Sequence, residues 1–473
     1  MGPATDKPGV LESILEAGVN VVRINFSHGS EEEHLGRVKA VREWAQENDT
    51  YIGVLMDLQG PKIRIASFKD GMKIQLNNGD SFALDADKDN LLGDQTSVGI
   101  AYKTLPQEVK PGNILILDDG KIVLEVTEIV GNKINTVVTQ GGILSDKKGI
   151  NLRGGGLSAN ALTEKDKKDI FTAAKAKADY VALSFPINGD DVRETKILLK
   201  EAGSHAGVIS KIERAESLKE NTILDIINES AGIMVARGDL GVEIGDAQLP
   251  AQQKRLIKMA RSNDRIVITA TQMLESMIEN PIPTRAEVFD VANAVLDGTD
   301  AVMLSAETAA GAYPRNAVET MAEVCVEAEK NPIAKVSQHR LNQNFKDIDE
   351  TIALSSMYAA NHLGVKVIAS LTQTGYTALW MSRISSDVSI YAISANVSTL
   401  RKVTLYRGVY PCGINEVANT SWGEVNKSVI DTLTKNNVVA DGDLVILTKG
   451  MHQDNKGGGT NMMKILRVGD NDY

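Results

Sequence analysis

Short apolar segments recur along the chain, and each ends in charged or hydroxylated residues. Seven segments share this pattern: Val19–Ser27, Ile52–Asp57, Tyr180–Ser184, Ala206–Glu213, Gly232–Asp239, Ile266–Thr271 and Asp300–Glu307. Strands buried on both faces of a parallel sheet are continuous apolar runs, and their carboxyl ends form the active site of an α/β barrel. The pattern therefore predicts parallel strands whose polar ends meet at one opening.

Helical periodicity separates these predicted strands. Apolar residues recur at three- and four-residue intervals in six stretches: Thr163–Lys177, Asp190–Ala202, Ala215–Glu229, Ala247–Asn263, Thr284–Leu296 and Arg315–Lys330. Capping-box residues open the stretches that begin at Ser30 and Thr284. Seven strand–helix rounds favour a closed (β/α)8 TIM barrel over an open sheet.

Two regions depart from this alternation. Residues 62–161 carry short alternating segments between Gly, Asn and Asp turns, which predicts a small all-β domain inserted at the barrel opening as a lid. A second α/β pattern follows from about Asn331, with five predicted strands of an open sheet: Val365–Leu371, Val388–Ile393, Gly408–Cys412, Asp443–Thr448 and Met463–Val468. The predicted domains are therefore 1–61 and 162–332 (barrel), 62–161 (lid) and 333–473 (C-terminal α/β domain).

The amino terminus gives one barrel strand too few. A helix predicted over Lys7–Ala17 follows Met1 almost directly, so only seven strands are found where the fold needs eight. A missing strand would leave two unpaired sheet edges. We expect that the first strand has been lost by truncation or by a wrong start site.

Composition narrows the functional classes. Net charge is −11, which argues against nucleic acid or an acidic membrane as the main partner. Cys325 and Cys412 lie far apart without metal-ligand spacing, as expected of free thiols in the cytoplasm. The predicted opening nevertheless gathers Arg, Asp, Lys, Glu and Thr side chains from the strand ends. These groups suit an anionic substrate and a divalent metal.

Seven segments of the chain carry a family resemblance. They are Val22–Gly29, Met56–Arg64, Ser210–Glu213, Met234–Gly241, Ala270–Met277, Pro283–Val295 and Asp297–Ala309. In this order, with an all-β insertion between the second and third, they resemble the pyruvate kinases of bacteria over essentially the whole chain. The resemblance implies phosphoryl transfer from phosphoenolpyruvate to ADP, followed by protonation of enolpyruvate.

The resemblance also implies a metal site. Glu213 and Asp239 would hold Mg²⁺, or Mn²⁺ in its place, because hard carboxylate oxygens are its usual protein ligands. Lys211 would stabilise the transferring phosphoryl group and the enolate. A competing interpretation pairs Glu213 with Arg214 or Arg237 in a surface ion pair.

The same resemblance implies further contacts with the substrate. Arg23 suits phosphate recognition through its planar fork, and the backbone at Gly238 suits the substrate carboxylate, together with Asp239. Thr271 would contact the same carboxylate. Thr271 and Ser305 match the positions that supply the proton to enolpyruvate, and which hydroxyl donates it stays open.

Four residues match nucleotide-binding positions of the family. Arg64 corresponds to an arginine that binds nucleotide phosphate, and Lys165 to a lysine that reaches ADP. Asn25 and His28 lie on the same predicted edge. For His28, a structural hydrogen-bonding role is the competing interpretation.

One departure concerns the monovalent cation. Asn25, Ser27 and Asp57 match three ligands of the family's K⁺ site, but Leu58 and Lys62 stand where many relatives have Thr and Glu. The Lys62 ammonium brings a fixed positive charge to the position where the other form recruits an ion. We expect that this enzyme is of the lysine-containing type and does not require K⁺.

The C-terminal domain contains a candidate effector site. Thr372, Thr374, Gly375 and Thr377 form a hydroxyl-rich turn before a predicted helix, and Gly457–Thr460 could fold over it. In the family this location binds phosphorylated allosteric effectors, and the family is usually homotetrameric. An ordinary capped helix beside a flexible glycine loop is the alternative.

Two other functions remain in competition. A metal-dependent aldolase or mutase barrel acting on an enolate shares the metal and the enolate chemistry, but it lacks the lid and the residues Arg64 and Lys165. A catalytically silent, metabolite-binding paralogue is the non-enzymatic alternative. The argument against a silent paralogue is the presence of four residues: Lys211, Glu213, Asp239 and Thr271.

Overall fold

The computed structural model describes residues 1–335, 345, 347–415, 421–450 and 459–470. In this part of the chain the strands form sheets of seven, six, five and two strands. No helix within these ranges is long and apolar enough to cross a membrane.

The chain begins with two strands of the seven-stranded sheet, each preceded by a helix. These elements are α1 (Val10–Glu16), β1 (Val21–Asn25), α2 (Glu31–Glu47) and β2 (Gly53–Asp57). The helix predicted over Lys7–Ala17 is shorter, because Gly9 precedes it with φ of 77°, a left-handed conformation that cannot continue a helix. Ser30 caps α2 in the predicted capping box. Parallel pairing aligns Asn25 with Asp57 at the carboxyl ends of the two strands.

A β insertion follows β2, as predicted. It contains one short α-helix, α3 (Leu105–Glu108), and eight strands: β3 (Ile74–Leu76), β4 (Ser81–Asp85), β5 (Ser97–Gly99), β6 (Ile114–Leu117), β7 (Ile122–Val130), β8 (Lys133–Gln140), β9 (Gly142–Leu144) and β10 (Ile150–Leu152). Six of them form a sheet in the order β10-β6-β7-β8-β4-β5, and β3 pairs with β9. Phe68, Phe82 and Leu115 belong to a core of its own.

The chain then returns to the seven-stranded sheet by strand–helix alternation. The elements are α4 (Glu164–Lys175), β11 (Tyr180–Leu183), α5 (Gly189–Glu201), β12 (Gly207–Ile212), α6 (Glu220–Glu229), β13 (Gly232–Ala236), α7 (Arg237–Ile244), α8 (Leu249–Ser262), β14 (Ile266–Ala270), α9 (Arg285–Asp297), β15 (Ala301–Met303), α10 (Ala306–Ala309), α11 (Pro314–Glu329) and α12 (Pro332–Lys335). The single helix predicted over Ala215–Glu229 is wrong, because Lys219 is extended and separates a short 3₁₀ turn from α6.

All neighbours in this sheet are parallel, in the order β1-β2-β11-β12-β13-β14-β15. Their carboxyl ends therefore lie on one side, as the sequence pattern predicted. At the outer strands, the Met1 amino group donates to the Arg23 carbonyl (2.8 Å), and the Ala4 N–H donates to Ala309 (2.9 Å). The expectation of a lost strand and the predicted domain limits stay predictions.

The C-terminal region forms the five-stranded sheet. Its elements are α13 (Ile348–Leu363), β16 (Val367–Leu371), α14 (Tyr376–Ser382), β17 (Ser389–Ser394), α15 (Val397–Val403), β18 (Val409–Gly413), α16 (Trp422–Lys435), β19 (Leu444–Lys449) and β20 (Met462–Arg467). The order is β18-β17-β16-β19-β20, with only the β19–β20 pair antiparallel. The five strands predicted here are confirmed to within two residues at each end.

This region packs against the amino-terminal ends of the parallel strands. Leu379 and Leu405 share one apolar cluster with Leu55, Tyr180 and Ile266. The Tyr180 hydroxyl also donates to the Lys402 carbonyl at 2.8 Å. The C-terminal region thus covers the end of the sheet opposite the predicted site.

Candidate active site

Lys211 occupies the centre of the cluster at the carboxyl ends of the strands. Its Nζ lies 2.9 Å from Glu213 Oε1, 3.4 Å from Asp57 Oδ1 and 2.8 Å from the hydroxyl of Ser184. These residues come from three neighbouring strands or the turns directly after them: β2, β11 and β12. Register places them together, because parallel pairing aligns Leu183 with Ser210, one residue before Lys211. The strand-end pattern thus correctly placed Lys211, Glu213 and Asp57 together.

Burial and neighbouring charges act in opposite directions on the pKa values of this cluster, and which of the two prevails differs between residues. Burial alone would lower the pKa of Lys211, but the carboxylates of Asp57 and Glu213 outweigh burial and raise it. Burial would raise the pKa of Asp57, yet Lys211 and Arg23 hold it below its usual value. For Glu213, burial prevails and raises the pKa to about 7, against the effect of Lys211; nearby Asp239 also raises it.

Arg23 pairs with the same aspartate from β1. Its Nε donates to Asp57 Oδ2 at 2.7 Å, and its NH2 group lies 2.5 Å from the same oxygen. About a fifth of the Arg23 side chain remains exposed at the opening. The predicted phosphate-binding residue is therefore in the cluster and is oriented by a buried carboxylate.

The second predicted metal ligand, Asp239, lies in the first turn of α7. Its Oδ1 is 3.6 Å from Lys62 Nζ, so the lysine from the β2 end reaches this carboxylate. The competing pairing of Glu213 with Arg214 or Arg237 is wrong. Arg214 donates to the carbonyls of Leu157 and Ala159, and Arg237 turns to the loop after β14.

Thr271 sits in a strained turn directly after β14. Its φ is 69° and that of Gln272 is 55°, a region that is rare for a β-branched residue and costs about 1–3 kcal/mol. The Thr271 hydroxyl donates to the Ala270 carbonyl at 2.6 Å and accepts from the Gly238 N–H at 2.9 Å. The Gly238 N–H that was predicted to meet a substrate carboxylate therefore bonds to Thr271.

Arg237 holds this turn, a role that the sequence did not reveal. Its guanidinium donates to the carbonyls of Thr271 (2.5 Å) and Gln272 (3.1 Å), and NH1 donates to Asp290 at 2.6 Å. The residue is buried although it is charged. An arginine directly after an apolar strand and before Gly238 indicates a residue at the opening but does not identify its partner.

Ser305 begins the short helix after β15. Its backbone N–H donates to Glu307 Oε2 at 2.6 Å, and Glu307 Oε1 accepts from the Leu274 N–H at 3.3 Å. Buried Glu307 thereby joins the Ser305 turn to the loop that begins at Thr271. The sequence included Glu307 among the strand ends without giving it a role.

The residues predicted for nucleotide binding separate into two groups. Lys165, at the start of α4, donates to the Phe26 carbonyl at 2.7 Å and lies over the Phe26 ring at 5.7 Å from its centroid. This contact brings Lys165 to the loop that carries Asn25 and His28. Arg64 instead donates to the Lys147 carbonyl at 2.9 Å, within the β insertion.

The positions matching the K⁺ site form a local turn. Asn25 Oδ1 accepts from the Ser27 N–H at 2.9 Å, and Leu58 is buried with its carbonyl accepting from Ser184. Asp57 already faces two cations, Arg23 and Lys211. Lys62 approaches Asp239 and not this turn.

The threonine-rich turn before α14 is internally bonded. Thr372 Oγ1 accepts from the Gly375 N–H at 2.8 Å, and the buried Thr377 hydroxyl lies 2.6 Å from that of Thr460. Thr374 is exposed. Of the predicted covering loop, Gly457 and its neighbour at 458 lie outside the described residues.

The donor set fits a hard divalent cation. Glu213 and Asp239 supply carboxylate oxygens, and the negative charge of Asp239 contributes to raising the pKa of Glu213. Burial outweighs the nearby Lys211 ammonium and raises the pKa of Glu213, the direction expected where its negative charge is incompletely compensated. A divalent ion held by one or two carboxylates, with its other positions left to substrate and water, would supply that compensation.

Known proteins resemble the chain along nearly its whole length. A family model described as pyruvate kinase, barrel domain, matches residues 1–318, and one described as pyruvate kinase, alpha/beta domain, matches residues 350–466. A pyruvate kinase of Haemophilus influenzae is 54% identical over 95% of this chain and 94% of the relative. Pyruvate kinase II of Salmonella typhimurium is 54% identical over 99% and 97%.

A crystal structure of a pyruvate kinase from Cryptosporidium parvum has a TM-score of 0.91 at 34% identity, covering 99% of this chain and 94% of that one. These matches confirm the predicted α/β barrel with a C-terminal α/β domain. They also decide against the aldolase or mutase barrel and the silent paralogue. The chain therefore belongs to the pyruvate kinase family of phosphotransferases.

Proposed function

We propose that the chain transfers the phosphoryl group of phosphoenolpyruvate to ADP at the opening around Lys211. The observation that carries this proposal is the buried ammonium of Lys211 between Glu213 and Asp57. Such a fixed charge stabilises a transferring phosphoryl group without reorganisation during the reaction. Arg23, oriented by Asp57, would bind the phosphate from the other side of the cluster.

Glu213 and Asp239 would hold Mg²⁺, with Mn²⁺ as a substitute. When bound, the ion supplies charge neutralisation between the substrate carboxylate and phosphate oxygens. Lys62 lies 3.6 Å from Asp239, so it would move aside or share that carboxylate. Removal of the metal by a chelator should therefore abolish turnover.

Protonation of enolpyruvate would take place beside Thr271 and Ser305. The strained Thr271 turn, held by Arg237, fixes the position of the threonine hydroxyl. Glu307 joins that loop to the Ser305 turn, so the two candidate hydroxyls keep a fixed relation. Gly238 would position the substrate carboxylate once Thr271 releases its N–H.

ADP would bind along the edge formed by Asn25, His28 and Lys165, with Arg64 approaching from the β insertion. A cavity of about 630 Å³ beside Lys165 supports this placement, because it has the size of a ligand pocket and includes the Phe26 ring. Arg64 now bonds to Lys147, so movement of the insertion would be needed to bring it to the nucleotide.

We further propose that K⁺ is not required. The Lys62 ammonium already lies at the opening, and Asp57 is paired with two cations, which supports a site that needs no further monovalent charge. Equal turnover in K⁺ and in a bulky organic cation is expected. Strict dependence on K⁺ would contradict this proposal and leave the phosphotransferase assignment untouched.

Regulation and assembly complete the proposal. A phosphorylated effector would bind at Thr372, Thr374, Gly375 and Thr377, and replacement of the three threonines by alanine should abolish its binding.

A homotetramer is supported by large apolar side chains exposed on or near α9, with Ile282 at 73% and Phe289 at 70% exposure. Light scattering of the purified protein would test the assembly. A cytoplasmic location remains a prediction.

The decisive test measures ADP-dependent pyruvate formation from phosphoenolpyruvate with Mg²⁺, with and without K⁺. We expect turnover in both conditions. Lys211→Met should lower kcat at least a hundredfold, while Lys219→Met, which removes an exposed lysine nearby, should leave it unchanged. Absence of pyruvate formation by the folded protein would refute the proposed reaction.

A further inference from the structure

A second cavity lies between the barrel helices and the C-terminal domain, remote from the active site. Its volume is about 240 Å³. Residues of α11, α12 and the α8 end form one wall, and residues around β17 and β18 form the other. The lining includes Arg261, Lys330, Lys335, Ser386, Arg407 and Tyr410. The cavity therefore opens at the amino-terminal end of the parallel sheet.

Positive charge exceeds negative charge around this cavity. Four cationic side chains, Arg261, Arg407, Lys330 and Lys335, line the cavity with two carboxylates, Glu329 and Asp387. This local excess contrasts with the chain's net charge of −11. Clefts lined by one sign of charge concentrate ligands of the opposite sign. The cavity is thus suited to an anion.

Exposed carboxylates pair with three of these cations, and Lys330 Nζ lies 2.6 Å from Glu327 Oε2. Arg407 NH2 is 3.8 Å from Glu329, and Lys335 Nζ is 3.3 Å from Asp387. Both carboxylate side chains are more than half exposed. Exposed ion pairs of this kind contribute little to stability. A ligand with a concentrated negative charge would displace them at little cost.

Both arginines are held in place by other contacts. Arg407 NH1 donates to the Val295 carbonyl at 2.6 Å, and Arg261 NH1 donates to the Gly298 carbonyl at 2.6 Å. Only 15% of the Arg407 side chain is exposed. A guanidinium fixed in this way loses little conformational entropy when an anion binds.

We propose that the cavity binds a small phosphate-bearing metabolite. Guanidinium and ammonium groups would take the phosphate, because Arg forks match its geometry. Ser385 and Ser386 offer hydroxyls to the organic part, and Tyr410 offers a ring that is about half exposed. The volume lies below the range of about 300–1,000 Å³ for pockets of drug-sized ligands, which limits the ligand to a sugar or nucleoside monophosphate or smaller.

Occupation of the cavity would connect the two domains. Arg407 is in the C-terminal domain, and its backbone N–H donates to Asp300, the residue before β15, at 3.1 Å. Lys330 and Lys335 are at the end of the barrel region. A phosphate held by residues of both domains would therefore fix their relative position at the base of β15, whose other end leads to Ser305.

Isothermal titration calorimetry on the full chain tests the site without relying on turnover. The probes are inorganic phosphate, glucose 6-phosphate and AMP. Lys330→Glu with Lys335→Glu should weaken binding of at least one organic probe about tenfold or more. The matched control, Lys39→Glu with Lys200→Glu, makes the same change in charge on exposed barrel helices and should leave binding unchanged.

Binding by a variant of the threonine turn shows whether the probes bind at that turn or in the cavity. Binding to the cavity should persist when Thr372, Thr374 and Thr377 are all replaced by alanine. Three results would overturn the proposal: no binding of either organic probe, loss in the threonine variant but not in the charge reversal, or equal loss in both charge-reversed variants. Binding of inorganic phosphate alone, without either monophosphate, would also contradict a metabolite site.

Discussion

A buried ion pair joins the C-terminal domain to the barrel. Arg383 and Asp300 have fully buried side chains. Arg383 NH1 donates to Asp300 Oδ2 at 2.9 Å and to the Arg265 carbonyl at 2.8 Å, and its NH2 donates to Asp300 Oδ1. Asp300 also accepts from the N–H groups of Val267 (2.9 Å) and Arg407 (3.1 Å). This network bonds the starts of β14 and β15 to the residue after α14.

Arg383→Met removes the ion-pair partner of Asp300 and leaves its carboxylate buried with two N–H donors. The expected loss in the free energy of unfolding is about 3–5 kcal/mol at pH 7. Lys39→Met is the control, because the Lys39–Glu43 pair spans 3.6 Å with both side chains mostly exposed. Its loss should not exceed about 0.5 kcal/mol.

The double variant Asp300→Asn, Arg383→Met distinguishes the buried charge from lost packing. It removes the carboxylate's charge and should recover a large part of the stability lost in Arg383→Met. Urea unfolding followed by tryptophan fluorescence measures the three variants, with Trp380 on α14 as a nearby reporter. A loss in Arg383→Met no larger than in Lys39→Met would refute the reasoning. So would a double variant as unstable as the single one.

The pH dependence of the difference has a definite sign. Burial would raise the pKa of Asp300, but Arg383 holds it below its usual value. The pair therefore stabilises the fold above the ordinary aspartate pKa, near 4, and this contribution is lost as the pH falls through the lower folded value. The stability gap between the wild-type chain and Arg383→Met should narrow in acid.

Three further outcomes can be checked directly. Lys211→Met should cost about 3 kcal/mol in urea unfolding besides its kinetic effect, because Glu213 and Asp57 lose their shared ammonium. Burial raises the pKa of Glu243 to about 7, so its contribution to stability is present at low pH and is lost as the pH rises through 7. Between pH 5 and 8, the free energy of unfolding of Glu243→Gln should therefore rise by up to about 3 kcal/mol relative to the wild-type chain. Unfolding of both chains at each pH measures this difference. Thr284→Ala removes the side-chain cap of α9 and should cost about 1 kcal/mol in urea unfolding.

The pattern of apolar segments that end in polar residues predicted most of the active-site cluster, because this pattern is local in the sequence. Apolar runs buried on both faces define parallel strands, and parallel register brings Asp57, Lys211 and Glu213 together without knowledge of the connections. The starts of α2 and α9 were recoverable for the same reason, since their capping residues Ser30 and Thr284 are local. The seven-stranded sheet thus follows from short-range information.

Contacts between distant segments were beyond the sequence. Nothing near Arg237 indicates that its guanidinium binds the turn at Thr271, some thirty-four residues later. The direction of Lys62 toward Asp239 depends on the path of the loop after β2, not on its apolar pattern. The same holds for Arg383 and Asp300, each of which resembles an ordinary surface charge in sequence.

Helix α9 contacts both the active-site turn and the second cavity. Asp290 accepts from Arg237, which holds Thr271 in its strained conformation, and the Val295 carbonyl accepts from Arg407 at the cavity. Asp290 and Val295 are five positions apart in the helix, a distance of about 7.5 Å along the axis. A packed helix moves as a unit, so a shift of Arg407 that displaces α9 also displaces Asp290. The strained turn persists only while contacts such as that of Arg237 hold it. Helix α9 is therefore the element that connects the second cavity to the position of the Thr271 hydroxyl.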